Sequence, residues 1–367
     1  MPEQAPAPVR DFRKGLLAHL ILVPAWVSAP FLLFGGLISA GAPHGVPGLA
    51  VSLGFGAGLL MSSNMKQRLP MCVAVFGMGA AAPSGYKAIA SVGAAVVTLM
   101  AWLCKGGKAD FAPRPALWAF LSSHAKDYYA QAELRGRLDD IRKEKSCFAF
   151  HPHGCLSAGF TINGCYNPEF GRVAGKVNWL CDYNLRYKNP GFRWKCDSVR
   201  HEGFAIDAAD KRTFQKLMAS GENLSLLPGG FQDAVAFRFG RECTVLKRRK
   251  GFIKYCLQYG YRLHPVWTFG ESETFHAFSG LRRLRMKISE NNIPMVAFFG
   301  WPLLPFLPRP ESRILTYVGA GMDLPHIKDP TPQDVDHWHG EYIKALHKVF
   351  ADNRAEAGWP SAELDIA

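Results

Sequence analysis

Apolar residues follow two rhythms along this chain. From Gly15 to Met65 no Asp, Glu, Lys or Arg interrupts the run. Its first segment, Leu16 to Ala40, exceeds the roughly 20 residues needed to cross a bilayer core. It is also too long for the apolar core of a cleaved signal peptide, about 7–15 residues. Pro43-His44-Gly45-Val46-Pro47 breaks the run, and a shorter segment covers Gly48 to Met61. Basic residues lie on both outer sides (Arg10, Arg13, Lys14, then Lys66, Arg68), with none in the connection. That distribution predicts a membrane hairpin with both ends cytoplasmic. Two further segments, Leu69 to Pro83 and Ala88 to Cys104, are parted by Ser84-Gly85-Tyr86-Lys87 and suit a second hairpin, a re-entrant pair or an interfacial pair. Residues 1–110 are therefore expected to anchor the chain to a membrane.

After Lys105 charges return. Leu117 to Gln131 reads as an amphipathic helix with Trp118, Leu121 and Tyr128 on its apolar side, and Leu134 to Lys145 as a charged connector. Residues 111–145 thus form a connecting region. From 146 to 367 short apolar runs alternate with helical periodicity. Strands are expected at Cys147–Phe150, Val177–Cys181, Leu224–Leu227, Arg262–Phe269 and Ile314–Val318. Helices are expected at Ala208–Met218, Arg249–Gln258 and Ser272–Met286. This alternation predicts an α/β domain, a mixed, mostly parallel sheet flanked by helices, behind the transmembrane helical hairpin region. The last helix is the best marked: Thr331 as N-cap, Pro332 at the first position, and Val335, Trp338, Tyr342, Leu346 and Val349 as a core-facing stripe. His337, His339 and His347 are expected to be solvated.

A formal charge of +13 and a pI near 9.4 suit an anionic partner. Nucleic acid is disfavoured, because the cations follow a membrane anchor and glycine turns with no recognised reading module. Nine cysteines without a Cys-x-x-Cys indicate neither a zinc knuckle nor a disulfide framework, and fit a reducing compartment. The sequon Asn223-Leu224-Ser225 falls in an expected buried strand and is read as unmodified.

The candidate chemistry starts at His151-Pro152-His153-Gly154, where a strand meets a sharp turn and two imidazoles project from a rigid scaffold. Histidine takes a proton near neutral pH, so one of the pair is a candidate general base. Two histidines are also two-thirds of a zinc site, which would make a metal-dependent lipid hydrolase. Leu227-Pro228-Gly229-Gly230 followed by Asp233 is a glycine turn whose amides can approach a phosphate or oxyanion. It lacks the Gly-Lys-Ser/Thr ending of a P-loop. Lys247-Arg248-Arg249-Lys250 ahead of Gly251 and Phe252 is a cationic run, with a second at Arg282, Arg283, Arg285 and Lys287, able to serve the same anion or a lipid surface. Phe269-Gly270-Glu271 ends another strand with a carboxylate able to orient a histidine. Cys155 offers a rival to a histidine base, a thiolate nucleophile.

The order of these motifs resembles the type 2 diacylglycerol acyltransferase family, which includes monoacylglycerol and wax-alcohol acyltransferases. The resemblance runs from about Phe148 to the C-terminus. It rests on His151-Pro152-His153-Gly154, Pro228-Gly229-Gly230, and the block Arg249-Lys250-Gly251-Phe252-Ile253-Lys254 through Gly260, Pro265 and Phe269-Gly270-Glu271. It ends with Asp329-Pro330-Thr331-Pro332-Gln333-Asp334-Val335-Asp336 leading into the last helix. Asp233 stands where the family usually has glutamate, His264 replaces a small aliphatic residue, and the Tyr-Phe-Pro block is absent. The resemblance implies acyl transfer from acyl-CoA, as co-substrate and without a cofactor, to a glyceride hydroxyl at the endoplasmic reticulum membrane or a lipid droplet. It implies that His151 and His153 are catalytic; of the two, His153 is expected as general base, with His151 shaping the turn or binding the oxyanion. Glu271 is the first choice to orient the base and Asp233 the second. Arg249, Lys250 and the glycine turn would hold the CoA phosphates, with Gly154, Gly251, Phe252 and Gly270 in the substrate-binding set. No metal is required, since a thioester is already activated. A homo-oligomer is compatible with the sequence. The usual His-x4-Asp of lysophospholipid acyltransferases is missing, because Cys155 and Ser157 occupy those positions.

Overall fold

The structure is a computed structural model and describes residues 10–61, 65–103, 111–289 and 296–367. The end of the fourth apolar segment at Cys104 and the change of composition at Lys105 lie outside the described residues. The chain divides into two compact units. One holds the chain up to Ile21 with Pro113–Asp182 and Ser198–Ala367; the other holds Leu22–Ala112 and Tyr183–Asp197.

The N-terminal region is helical: α1 (Phe12–Gly41), α2 (Gly45–Met61), α3 (Met65–Ala80) and α4 (Lys87–Leu103). The expected break falls at a 3-10 turn, Ala42–His44. Leu37, Ala40, Cys72, Val75, Ala94 and Val97 form the apolar core of this helical unit. Among the described residues no single helix is long and apolar enough to cross a membrane. Leu69–Ala80 and Ser84–Thr98, bent by 116°, meet that requirement together.

The larger unit carries the strands β1 (Gln131–Gly136), β2 (Ser146–His151), β3 (Val177–Cys181), β4 (Phe204–Ala208), β5 (Asn223–Leu226), β6 (Cys243–Thr244) and β7 (Arg262–Phe269). It continues with β8 (His276–Ala277), β9 (Phe298–Phe299), β10 (Arg313–Val318), β11 (Met322–Asp323) and β12 (Asp365–Ile366). Its helices are α5 (Pro115–His124), α6 (Pro168–Ala174), α8 (Lys211–Ala219), α9 (Gly230–Ala236), α10 (Gly251–Tyr259), α11 (Arg282–Ser289) and α12 (Pro332–Ala357), while α7 (Pro190–Ser198) belongs to the other unit except for Ser198.

The main sheet runs β1-β10-β7-β2-β5-β3-β4, with β11 beside β7. Its pairs are parallel except where β10 and β11 meet β7. This is the expected mixed, mostly parallel α/β sheet. β2 sits between β5 and β7 and is buried along its whole length, as a strand covered on both faces must be. Alternation along β10 sends Leu315 and Tyr317 into the core with Tyr342 and Leu346 of α12. It sends Thr316 the other way, to Asn163 on a π-helical turn, Gly159–Cys165.

Several expectations are corrected. The stretch read as the end of one helix and a charged connector holds β1, a polar edge strand recruited by six-residue pairing with β10. The helix expected from Leu117 to Gln131 ends at His124 and continues as a 3-10 turn to Tyr128. Phe204–Ala208 is a strand that the helical reading of Ala208 onward overlapped. Ser272–Met286 is not one helix: a 3-10 turn, strand β8 and then α11 share it, separated by Gly280 and by Leu281 in left-handed backbone. His339 is buried and its Nε2 donates to the Leu246 carbonyl, 3.1 Å away. Asn223 is fully engaged inside the sheet: its Oδ1 accepts from Ser146 N–H and its Nδ2 donates to the Arg142 and Ala174 carbonyls.

Candidate active site

Three motifs far apart in sequence converge because β5, β2 and β7 are adjacent and parallel. Ala149 is in register with Leu226, and His151 with Trp267. The chain therefore leaves all three strands on one edge of the sheet: His151 to Gly154 after β2, Leu227 to Asp233 after β5, and Gly270-Glu271 after β7. Ligands of open α/β sheets bind at such carboxyl ends.

His151 is fully buried, and both its ring nitrogens are engaged. Nδ1 lies 3.0 Å from Thr244 Oγ1 and Nε2 lies 2.9 Å from the Tyr342 hydroxyl. The Thr244 hydroxyl donates its proton to Asp233 Oδ2, 2.9 Å away. It can therefore only accept from His151, which fixes the imidazole proton on Nδ1 and leaves Nε2 accepting from Tyr342. Burial pushes the His151 pKa down to about 3, so the ring stays neutral. Its position fits shaping the turn rather than meeting an oxyanion.

Asp233 closes the chain of bonds. Its carboxylate accepts from the Thr244 hydroxyl, the Val245 amide and the His153 amide, the last at 3.1 Å. Burial raises its pKa to about 6, against those donors and the nearby Arg249 charge, which all favour ionisation. A Cβ on Gly229 would lie 2.1 Å from the Asp233 Cγ, so glycine is required where α9 folds its acid back onto the turn.

His153 is half-buried and differs in kind. Its Nδ1 lies 3.0 Å from the Gly154 carbonyl. A carbonyl only accepts, so the proton sits on Nδ1 and Nε2 carries the lone pair. Among the described residues Nε2 makes no hydrogen bond. Burial lowers the His153 pKa from its usual value, which favours the neutral ring.

Glu271 lies behind the same turn. Its Oε1 accepts from Ala158 N–H at 3.0 Å and its Oε2 from Gly159 N–H at 2.8 Å. Burial pushes its pKa up to about 8 in spite of those donors. A Cβ on Gly154, which has φ +59°, would sit 2.4 Å from Oε1. Glu271 thus supports the backbone that carries His153, and its hydrogen bonds go to amides rather than to the ring. Asp233 also reaches His153 through the backbone. Gly270, with φ +83°, starts the turn that aims Glu271 inward.

The remaining candidates are spread around this core. Gly230 opens α9 with φ +52°. Arg249 buries its Nε, which has no hydrogen-bond partner among the described residues. Lys250 is paired with Asp336 at 2.6 Å. Gly251 starts α10, and Phe252 is buried edge-on to Tyr342 with ring centroids 5.2 Å apart. The Cys155 thiol is buried and its pKa raised well above the usual value, by burial and then by the Glu271 charge, which disfavours a thiolate there. His264 lies mid-strand in β7, stacked on Phe148 at 5.1 Å.

Thr244, Tyr342 and Glu242 were not singled out by sequence reasoning. Tyr342 reads in the sequence as a member of a core stripe and of the helix that ends the family resemblance, with no site role, and Thr244 sits in a short strand with no motif around it. Glu242 is buried, accepts from Ser272 Oγ at 2.5 Å and has its pKa raised to about 7 by burial.

A family model described as diacylglycerol acyltransferase matches residues 111–366. Diacylglycerol O-acyltransferase 2 of Dictyostelium discoideum is 29% identical over 262 residues, covering 67% of this chain and 75% of that protein. Acyl-CoA wax alcohol acyltransferase 1 of Mus musculus is 27% identical over 270 residues, covering 69% and 79%. Diacylglycerol O-acyltransferase 2 of Bos taurus is 26% identical over 278 residues, covering 71% and 74%.

Proposed function

The chain belongs to the diacylglycerol acyltransferase family, and from that premise we propose that it moves a fatty acyl group from acyl-CoA to the free hydroxyl of diacylglycerol, forming triacylglycerol, with His153 as general base. The observation that carries this reading is the His153 tautomer: Nδ1–H is committed to the Gly154 carbonyl and Nε2 is left with its lone pair. Nε2 takes the acceptor's hydroxyl proton as the oxygen forms a bond to the thioester carbonyl carbon. The tetrahedral intermediate collapses, the C–S bond breaks, and the departing CoA thiolate recovers the proton from His153. A base placed in this way is typically worth ~10²–10⁴ in rate.

His151, Thr244, Asp233 and Tyr342 hold the turn, and Glu271 braces it from behind. The CoA phosphates are assigned to Arg249, Lys250 and the Gly229-Gly230 turn, supported by the Arg249 charge and Gly229 near Asp233 and by the formal charge of +13. The N-terminal region is read as the membrane anchor of a lipid-synthesis enzyme at the endoplasmic reticulum. Its first two apolar segments form a hairpin, and the catalytic unit faces the cytoplasm. Support comes from the uncharged run between Gly15 and Met65 and from the cations flanking it.

The test is acyl transfer by membranes containing this protein, supplied with labelled oleoyl-CoA and, separately, diacylglycerol, monoacylglycerol and a fatty alcohol. The His153→Ala protein is the blank. Triacylglycerol formed only by the unmodified protein is expected. Product from another acceptor would keep the chemistry and change the acceptor. Full activity in the His153→Ala protein would remove the general base.

A further inference from the structure

The described residues between β7 and β10, 270–289 and 296–312, have an inner and an outer side of opposite character. On its inner side Phe275, Ala277, Val296 and Phe298 pack with Phe237, Leu156 and Cys155, the residue directly after Gly154. Helix α11 is built inside out. Arg285 points inward and is buried, its Nε donating to the Gly280 carbonyl at 2.9 Å and Nη2 to the Val235 carbonyl on α9 at 3.3 Å. α11 packs on α9, the helix that carries Asp233. Its one leucine, Leu284, is exposed to solvent, as is Leu281 just before it, the reverse of a soluble amphipathic helix.

On the outer side Phe278, Leu281, Leu284, Phe299 and Leu303 are 52–75% exposed. Phe239, stacked on His276 of β8 at 4.1 Å, joins them. Among the described residues of this unit, only Leu17 and Leu20 are large exposed apolar side chains elsewhere. An apolar concentration of this kind marks a docking surface. Arg282, Arg283 and Lys287 are exposed among these leucines, and cations beside apolar side chains complement an anionic lipid interface.

We propose that the outer face formed by the described residues of β8, α11 and β9 docks on an anionic phospholipid surface, with Leu281 and Leu284 entering the apolar layer and Arg282, Arg283 and Lys287 binding lipid phosphates. Docking there holds the catalytic turn at the level of the lipid, because the inner side of the same segment packs on Cys155. The proposal rests on the acyl-transfer reading only where it explains how a lipid acceptor arrives.

The full chain, carrying a polarity-sensitive fluorophore at Leu284→Cys or at Lys348→Cys on exposed α12, is reconstituted in vesicles of phosphatidylcholine with or without phosphatidylserine. The unmodified chain's own labelling is subtracted. The 284 label is expected to shift blue and to be quenched by spin-labelled lipid, most strongly with phosphatidylserine, and the 348 label to do neither. A 284 label as water-accessible as the 348 label overturns the proposal. Shielding that follows protein density and not lipid charge assigns the face to a second copy, and also overturns it. The double variant Leu281→Glu/Leu284→Glu is expected to transfer to a vesicle-borne acceptor roughly tenfold more slowly, with transfer to a detergent-dispersed short-chain acceptor unchanged. Equal loss on both removes the delivery role. A wild-type protein inactive on every acceptor would sink the acyl-transfer reading, while the fluorescence would still decide the docking.

Discussion

A ring nitrogen that already donates or accepts a hydrogen bond cannot take a proton from a substrate without giving that bond up. That rule separates His151 from His153. Replacing His153 by glutamine is expected to lower the transfer rate by ~10²–10⁴ with little change in the melting temperature in detergent. Replacing His151 by alanine deletes its two buried hydrogen bonds, although the Thr244 hydroxyl keeps Asp233 as acceptor and the Tyr342 hydroxyl the Ala149 carbonyl; about 1–3 kcal/mol of stability is expected to be lost, read by chemical denaturation. Because the His153 pKa lies below its usual 6.5, the rate should hold through neutral pH and fall only as pH drops through the lowered value. Stability follows the buried groups. The unfolded chain protonates His151 at 6.5 and the folded chain at about 3, so folding weakens as pH falls through that window. Glu271 has the opposite sign: its folded pKa of about 8 lies above the usual 4.5, so its contribution is present at low pH and lost as pH rises through about 8. Glutamine at 271 would flatten the alkaline side of the stability profile. It would also leave the Ala158 or Gly159 amide facing an NH₂, an expected loss of about 1–3 kcal/mol.

Among the elements, α12 shows how much a sequence can declare. Thr331 and Asp334 form a capping box, with Thr331 Oγ1 accepting from Asp334 N–H at 3.2 Å and Asp334 Oδ2 accepting from Thr331 N–H at 2.9 Å. Thr331→Ala is expected to lower stability by about 1 kcal/mol in the same denaturation experiment. The stripe of Val335, Tyr342, Leu346 and Val349 was legible because its period is set by burial against β7 and β10. The second task of Tyr342 was not, because a tyrosine on a core stripe looks the same whether or not its hydroxyl meets a buried imidazole. The motifs at His151–Gly154, Gly229–Asp233 and Gly270–Glu271 were legible as turns after strands. The route by which the two carboxylates reach His153 was not, since backbone amides leave no trace in side-chain spacing. Strand β1 was hidden for a related reason: its polar residues are held by pairing with β10 rather than by an apolar pattern.

At the scale of the molecule, the chain up to Ile21 belongs with the sheet and not with the helices that follow it. Arg10 donates to the Asp127 and Tyr128 carbonyls, and the Phe12 and Tyr128 rings stack with centroids 5.8 Å apart. The anchoring region read from the sequence therefore begins with residues that also complete the larger unit. Phe12→Ala is expected to lower the stability of that unit by about 0.5–1.5 kcal/mol for the ring pair, followed through proteolysis near Tyr128. Composition could not announce this, because an N-terminal phenylalanine and arginine before an apolar run read equally well as membrane flank.

Asp233 gathers donors from three places that share no regular hydrogen-bond ladder: the turn after β2, the threonine of β6 and the amide that follows it. Amide hydrogens in such irregular backbone normally trade with solvent quickly, on the timescale of local fraying. Those of His153 and Val245 should instead exchange as slowly as a central strand. They should quicken together in an Asp233→Asn protein, because one buried carboxylate gates both.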